Sequence, residues 1–274
     1  MKLNRKLFLI FVIFTATCLT SCSKVKSETL FSKDSTTKES KEIAAAPLGG
    51  SGMDKNEKYT VIGRKASQNK DGLSYSIKYP QITGLADSEK QKKINKIIKT
   101  EALKVLNYYK DHGSVDVDID YTVSSSSDVL SIQYSGLGTV SNAAHPNQLF
   151  YTTNIDIKNG KRIRLKDIVD TGALAKKFIN GKFKALWPEQ SEEMGISKMK
   201  TDELRKDFQE ADSLDSIGTE KQSDVFSYFT KDALGISIPV PYAIGGHAEF
   251  EIKYEDIKDN IIKNDIWKEF IKKK

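Results

Sequence analysis

Apolar and polar residues alternate strictly in the middle of the chain, and this alternation restricts the fold more than any other feature. From Val115 to Val123 every second residue is apolar, and the pattern resumes at Leu130, Ile132 and Tyr134 after a run of serines. A period of two places the apolar side chains on one face of a β-strand, and the serine run is typical of a turn. The region therefore predicts a β-hairpin with one buried face.

The same pattern predicts strands elsewhere in the chain. Residues Leu73 to Tyr79 alternate until Pro80 ends the strand. A second hairpin is predicted around the dipeptide Asn159-Gly160, which suits a two-residue type I′ turn. Further strands are predicted over residues 225–229, 235–240 and 248–254.

Apolar residues at helical spacing mark four further segments. Ser88 and Gln91 form a capping-box pattern, which predicts the start of an amphipathic helix of about six turns that ends at Gly113. Other helices are predicted over residues 173–187, 201–211 and 255–270. The polar segment 191–218 is predicted to be an insertion that contributes little to the core. Runs of strands with helices between them predict an α+β fold, with a mainly antiparallel sheet packed with two or three helices.

The N-terminus has the three parts of a secretory signal. A basic start over residues 1–6 precedes the apolar run 7–14, which is too short to span a bilayer permanently. The segment Leu19-Thr20-Ser21-Cys22 follows, and it resembles the lipobox of bacterial lipoproteins. We therefore predict a signal peptide over residues 1–21 and lipidation of Cys22. The alternative is a secreted protein in which this cysteine is an incidental thiol.

Residues 22–57 are predicted to be the lipid anchor and a flexible tether, because they have too little apolar surface to fold. The folded body is predicted over residues 58–274. Both cysteines of the chain, Cys18 and Cys22, precede this body, so it forms no internal disulfide and no thiolate metal site. The predicted location is the outer face of the cell membrane, with the lipid as the link to the bilayer.

The charge of the chain gives no support for binding to nucleic acid. The formal net charge is +6, but three basic residues lie in the predicted signal peptide, which leaves 40 of the 43 basic residues against 37 acidic ones. This small excess is spread along the chain and forms no basic patch in the sequence. We predict that nucleic acid is not a partner.

Three histidines, His112, His145 and His247, are the candidates for chemistry. No two of them have the close spacing of a helical metal motif, and we predict neither a metal site nor a cofactor. His145 lies between Ala144 and Pro146, a stiff segment. We predict a structural, hydrogen-bonded imidazole there, and a binding contact or catalytic base is the alternative. His247 follows two glycines and could approach His145 across the sheet.

Asp116, Asp118 and Asp120 resemble the opening of a calcium-binding loop. Tyr121 stands where that loop needs glycine, and its twelfth position holds no glutamate. Because the aspartates alternate with apolar residues, we predict that they form the solvent-facing side of a strand. The stretch Ser135 to Gly138 lacks the lysine of a phosphate-binding loop and is predicted to be part of a strand end.

The order of several short motifs resembles a family of extracytoplasmic domains of unknown function. The domains occur in RsiV-type anti-sigma factors and beside the catalytic domain of PdaC-type peptidoglycan deacetylases. The resemblance covers roughly Tyr59 to Ile262, in two segments over residues 58–140 and 141–274. Its motifs are Ile77-Lys78-Tyr79-Pro80-Gln81-Ile82, Ile94-Asn95, Ala144-His145-Pro146-Asn147, Asn154-Ile155-Asp156, Asn159-Gly160-Lys161, Leu165-Lys166-Asp167-Ile168, Tyr242-Ala243-Ile244-Gly245-Gly246 and Phe250-Glu251-Ile252.

This resemblance implies a mixed α+β domain outside the membrane, and in RsiV-type members it implies binding of lysozyme. It does not by itself imply catalysis. The chain departs from both relatives, since we find neither the sigma-binding segment and lasting membrane helix of an anti-sigma factor nor the metal motifs of a deacetylase domain. Ala143 and Ala144 also replace glycine before the histidine.

Two function classes follow from these observations. We favour a non-catalytic surface domain that binds lysozyme or a cell-wall glycan, with His145, Asn147 and His247 as the candidate binding residues. The alternative is a cell-wall hydrolase or deacetylase with a site around His145. An enzyme would bring this histidine and a carboxylate into one pocket, whereas a binding domain needs only an exposed groove or rim.

Overall fold

The computed structural model describes residues 58–109, 113–189, 196, 199–214, 225–263 and 265–271. The predicted signal peptide, Cys22, the tether and His112 lie outside the described residues. Within them, a six-stranded and a four-stranded sheet pack with helices, which confirms the predicted α+β fold with mainly antiparallel pairing.

The larger sheet has its strands in chain order. All neighbours in it are antiparallel except β2 and β3, which are parallel because helix α1 connects them. The strands are β1 Thr60–Lys70, β2 Leu73–Thr83, β3 Val115–Ser126, β4 Val129–Val140, β5 Asn147–Asp156 and β6 Lys161–Ile163.

The smaller sheet is antiparallel throughout, in the order β7-β10-β9-β8. Its strands are β7 Lys184–Ala185, β8 Phe226–Phe229, β9 Ala233–Pro239 and β10 His247–Lys253. The edge strand β8 rests on β4 and β5 of the larger sheet. Its Ser227 carbonyl oxygen accepts hydrogen bonds from Thr152 Oγ1 at 2.7 Å and Asn154 Nδ2 at 2.8 Å, while the Phe229 amide donates to Ser131 Oγ at 2.9 Å.

Short helices occupy the connections between strands. They are α1 Ser88–Leu103, α2 Leu106–Tyr109, α3 Leu165–Ile168, α4 Thr171–Ile179, α5 Thr201–Glu210, α6 Tyr254–Ile257 and α7 Trp267–Phe270, with 3-10 turns at Tyr242–Ile244 and Lys258–Asn260. Helix α1 starts where it was predicted, but its N-cap is Asp87, whose Oδ1 accepts from the Lys90 amide at 2.9 Å. The Gln91 side chain instead accepts from the Leu85 amide.

Each sheet has its own hydrophobic core. The first core lies between the larger sheet and α1, and it includes Ile77, Tyr79, Ile94, Ile98, Ile119, Ile132, Tyr134 and Tyr151. The second lies between the smaller sheet and helices α3 to α7, and it includes Leu165, Ile168, Leu174, Phe178, Phe208, Ile236, Phe250 and Trp267. Helices cover one face of each sheet, so the opposite face of each sheet is available for other contacts.

Three of the predicted helices differ from the observed ones. The helix expected to end at Gly113 is interrupted after Leu103. The helix over 173–187 ends at Ile179, because Gly181 takes a left-handed φ of 68° and its amide bonds back to the Phe178 carbonyl oxygen. The helix over 255–270 is broken, because Ile261 forms a bridge with Val169 and leaves the helical path.

Two further expectations are wrong in detail. The hairpin at Asn159-Gly160 exists, but Asp156 pairs with Lys161, so its turn has four residues and not two. The helix over 201–211 is present and does contribute to the core, since Leu204 and Phe208 are buried within it.

Candidate functional site

The face of the larger sheet that points away from α1 is polar, and the part of it that β8 does not cover is open to solvent. Side chains on this face alternate with the buried ones, as in the exposed Asp116, Asp118 and Asp120 of β3, which confirms the predicted solvent-facing strand. We call this surface the polar face. Its members are Ser67, Asn69, Ser74, Ser76, Lys78, Asp116, Asp118, Asp120, Thr122, Ser135, Leu137 and Thr139.

A cavity of about 260 Å³ opens at one end of the polar face. Four hydroxyl groups, one amide and one carboxylate contribute to its wall. Those groups can each donate or accept a hydrogen bond, so the cavity suits a neutral, hydroxyl-rich ligand. The lining residues are Asn69, Gly72, Ser74, Ser114, Val115, Asp116, Thr139 and Ser141.

Local structure fixes the rim of this cavity. Asp71 and Gly72 both have positive φ, 54° and 80°, which is the geometry of a type I′ turn between β1 and β2. On the other side, Ser141 Oγ donates to the Ser114 carbonyl oxygen at 3.0 Å and accepts from the Ser114 amide at 3.1 Å. The groups that line the cavity are therefore held by hydrogen-bonded backbone at both sides.

Charge on the polar face is partly neutralised within the face. Lys78 Nζ lies 2.6 Å from Asp120 Oδ2, and this hydrogen bond raises the pKa of Lys78 above its usual value despite partial burial. Asp116 lies at the cavity, two positions from Asp118 along the same strand. The cavity end of the face therefore carries carboxylates.

His145 lies at the tip of the β4–β5 hairpin and is exposed. Its Nδ1 is 3.2 Å from the carbonyl oxygen of Pro146. The imidazole is therefore exposed, because residues 141–146 extend beyond the ends of both strands, and its hydrogen bond lies within its own loop; its structural role stays a prediction.

We expect His145→Ala to change the free energy of unfolding by less than about 0.5 kcal/mol, as is usual for an exposed side chain. His247→Ala is the matched comparison, because this ring is stacked and its loss is expected to cost about 1 kcal/mol. Chemical denaturation of both variants measures the difference. Equal losses for the two variants would show that His145 also supports the fold.

Asn147 begins β5 on the α1 side of the larger sheet, opposite the polar face. It lies near Tyr109: burial raises the pKa of the Tyr109 hydroxyl, and the Asn147 side chain opposes that rise. The same hydroxyl lies over Gly138, where a Cβ atom would be 1.8 Å away. Asn147 thus lies beside the buried Tyr109 on the α1 side of the sheet, whereas His145 lies on the exposed hairpin tip.

His247 lies where the two sheets meet. Its ring stacks on Phe150 of β5, with centroids 4.5 Å apart, and its Nε2 is 3.7 Å from Glu249 Oε1. The neighbouring Gly246 packs on Gln148. The structure therefore places the His247 ring against Phe150 of β5, while His145 lies on the hairpin tip. Within the described residues, no three His, Cys, Asp or Glu side chains are placed to hold a metal ion.

A buried polar network, which the sequence did not reveal, joins the two sheets. The carboxylate of Asp212 accepts from the Ser227 amide at 2.6 Å, the Ser227 hydroxyl at 2.8 Å and the Leu165 amide at 2.8 Å. Burial raises the pKa of Asp212, and these hydrogen bonds and the charge of Arg162 oppose the rise. Arg162 also pairs with Glu101 of α1, Nε to Oε1, at 2.9 Å. Every carboxylate in this network is occupied, so its role is structural.

Comparison with known proteins identifies no activity. No family model and no curated protein matches the sequence. A solved member of the DUF3298 family from Bacteroides fragilis is similar, with 18% identity, coverage of 78% of this chain and 97% of that chain, and a TM-score of 0.47. A DUF3298 family protein from Pseudomonas aeruginosa has 11% identity, covers 74% and 93% of the two chains, and gives a TM-score of 0.41. The structural neighbours thus belong to a family of unknown function.

Proposed function

We propose that this protein is a lipid-anchored, non-catalytic binding domain on the outer face of a bacterial membrane, and that its polar face binds a cell-wall glycan. The observation that carries the proposal is the 260 Å³ cavity on that face, lined by hydroxyl, amide and carboxylate groups. Sugars present many hydroxyl groups, and a site of mixed donors and acceptors matches them.

The dimensions of the site agree with recognition of part of a long polymer. The cavity is smaller than the range of about 300 to 1,000 Å³ that is usual for sites enclosing a whole drug-sized ligand. It is therefore suited to one sugar-sized unit, while the rest of a chain would lie along the exposed strands of the polar face. Lysozyme would instead need a broad protein interface of about 800 Å² on each partner.

Binding to purified peptidoglycan tests this function. We expect the full-length protein, extracted in mild detergent, to sediment with insoluble peptidoglycan, and the double variant Ser74→Ala, Asp116→Asn to lose at least about tenfold in affinity, because two polar contacts are removed. Asp232→Asn, an exposed change in the β8–β9 turn of the other sheet, serves as the matched control and should bind like the parent.

Lysozyme forms the second arm of the same experiment. If the protein bound catalytically inactive lysozyme tightly and was not retained on peptidoglycan, its ligand would be a protein and not a glycan. Equal retention of the parent and the double variant on peptidoglycan would show that the cavity is not the glycan-binding site. Release of soluble products from peptidoglycan by the pure protein would show catalysis and contradict a binding role.

The anchor is proposed from the lipobox alone. No helix within the described residues is long and apolar enough to cross a membrane. A diacylglyceryl group with a further acyl chain exceeds the marginal membrane affinity of one acyl chain and holds a protein stably on the bilayer. The tether of residues 22–57 would then separate the folded body from the lipid headgroups.

We expect Cys22→Ala to move the protein from the membrane fraction to the medium or soluble fraction while the body keeps its melting temperature. The reason is that the acylated thiol is the proposed attachment and lies outside the folded body. Fractionation with immunoblotting measures the location, and mass spectrometry of the parent detects the lipid. A variant that stays in the membrane fraction would reveal a different anchor.

A further inference from the structure

A second group of polar side chains, in part buried, lies on the face of the smaller sheet opposite its helices. Strand pairing places its side chains in two adjacent rows: Ser237 stands opposite Glu249, and Gly235 stands between Tyr228 and Glu251. We call these residues, together with His247 beside Glu249, the acidic corner. The acidic corner is distinct from the cavity on the polar face, and the two have no residue in common.

Gly235 gives the acidic corner its shape. A Cβ atom at this position would lie 2.1 Å from the ring of Tyr228, so only glycine lets the ring cross the strand. The crossing carries the Tyr228 ring toward β10, where burial and the nearby charges of Glu249 and Glu251 raise the pKa of its hydroxyl. The Tyr228 hydroxyl is buried and has no hydrogen-bond partner within the described residues.

Ser237 points into the same corner with its hydrogen-bonding capacity unused. The residue is 1% exposed. Within the part of the chain that the structure describes, nothing lies within hydrogen-bonding distance of its Oγ atom. A buried hydroxyl without a partner is destabilising, and such groups in native proteins call for a ligand or a water molecule.

The corner also contains more negative charge than its neighbours balance. Glu249 has only 16% of its side chain exposed. Burial and the charge of Glu249 raise the pKa of Glu251, and Lys184, its cross-strand neighbour on β7, only partly offsets them. His247 compensates Glu249 only when its ring is protonated. Glu249 and Glu251 are therefore two partly buried carboxylates on the same face of β10, and their negative charge favours binding of a cation.

We propose that the acidic corner binds the protonated amine of a ligand, with Glu249 and Glu251 as the charge partners and Ser237 and Tyr228 as hydroxyl acceptors. A primary alkylammonium group has three N–H donors and no acceptor, so three oxygen acceptors satisfy it. The Glu249 carboxylate and the two hydroxyl oxygens supply these, and Glu251 supplies the second charge.

An amine fits the corner better than a metal ion does. A divalent cation such as Ca²⁺ takes six to eight oxygen ligands. The described residues hold no group of three carboxylate, imidazole or thiolate side chains that could bind a metal. Leu186, in contrast, is 37% exposed and lies beside Glu249, to whose carbonyl oxygen its amide donates, so the carbon chain of an alkylamine can pack against it.

Titration of the ¹⁵N-labelled full-length protein with n-butylammonium chloride tests the proposal. We expect saturable shifts confined to the amide signals of Gly235, Ser237, Glu249 and Glu251. The affinity should fall at least about tenfold in Glu249→Gln and in Ser237→Ala, since each removes an acceptor of a charged donor. Glu89→Gln, an exposed carboxylate on α1, and the cavity variant Asp116→Asn should bind like the parent.

Three results would overturn the proposal. Shifts of the same size with tetramethylammonium, which has no N–H donor, would show a response to charge alone. Unchanged affinity in Ser237→Ala would mean that its hydroxyl holds a structural water only. An absence of saturable shifts would mean that the corner takes no amine. Because Ser237→Ala only removes one oxygen atom, it decides the matter even if Glu249→Gln fails to fold.

Discussion

Replacement of Asp212 by alanine is expected to lower the free energy of unfolding by about 3 to 5 kcal/mol. The substitution leaves the buried Ser227 and Leu165 amides without their acceptor, and each unsatisfied donor costs about 1 to 3 kcal/mol. Alanine also tolerates the left-handed φ of 63° less well than aspartate does. The carboxylate links the β6–α3 connection to β8, so its loss loosens the junction between the sheets.

Chemical denaturation of matched variants measures this effect. Asp232→Ala, on an exposed turn, is the control and should change stability by less than about 0.5 kcal/mol. Asp212→Asn keeps an oxygen acceptor and a residue suited to the left-handed region, so it should fall between the two. A loss below about 1 kcal/mol for Asp212→Ala would contradict the structural role of the network.

Gly136→Ala is expected to destabilise the larger sheet by about 3 kcal/mol or more. A Cβ atom at this position would lie 2.0 Å from the carbonyl oxygen of Asp118 and 2.8 Å from the Cα atom of Ile119. Both are backbone atoms of β3, which cannot rotate away as a side chain could, so β3 and β4 must separate. Overpacking of this kind costs about 1 to 3 kcal/mol even where side chains can adjust.

Gly113→Ala provides the matched glycine control. The nearest atom to its added Cβ is Ser141 Oγ at 3.8 Å, an ordinary contact. The change removes backbone freedom from the unfolded chain and should leave stability equal or slightly higher. Thermal unfolding compares the two variants, and a Gly136→Ala protein that melts with the control would refute the close approach of β3 and β4.

Two turns show why strand prediction from this sequence was uneven. Strand β1 was missed because its residues 60–70 are mostly polar and show little apolar alternation. As an edge strand, β1 pairs with β2 alone and buries few side chains. The dipeptide Asp71-Gly72 next to it is a strong hairpin signal and forms the two-residue turn. Asn159-Gly160 carries the same kind of signal but lies in a four-residue turn, because Asp156 binds the Asn159 amide and side chain.

The candidate sites depended on contacts that a linear pattern does not contain. The alternation around Asp116 predicted a solvent-facing strand, yet the cavity beside it is assembled from residues of β1, β2, β3 and β4. His145 gave a local signal, a stiff loop, but its exposure follows from the lengths of β4 and β5. Asp212 gave none, since its partners come from distant segments of the chain.

The central claim is that the polar face binds a cell-wall glycan, and the most direct test is to map the contact surface. We would titrate ¹⁵N-labelled full-length protein with soluble peptidoglycan fragments that vary in chain length. The proposal predicts saturable shifts at Ser74, Ser114, Asp116, Thr139 and Ser141, with tighter binding for longer fragments. Shifts confined to another surface, or none at all beside clear shifts with lysozyme, would contradict it.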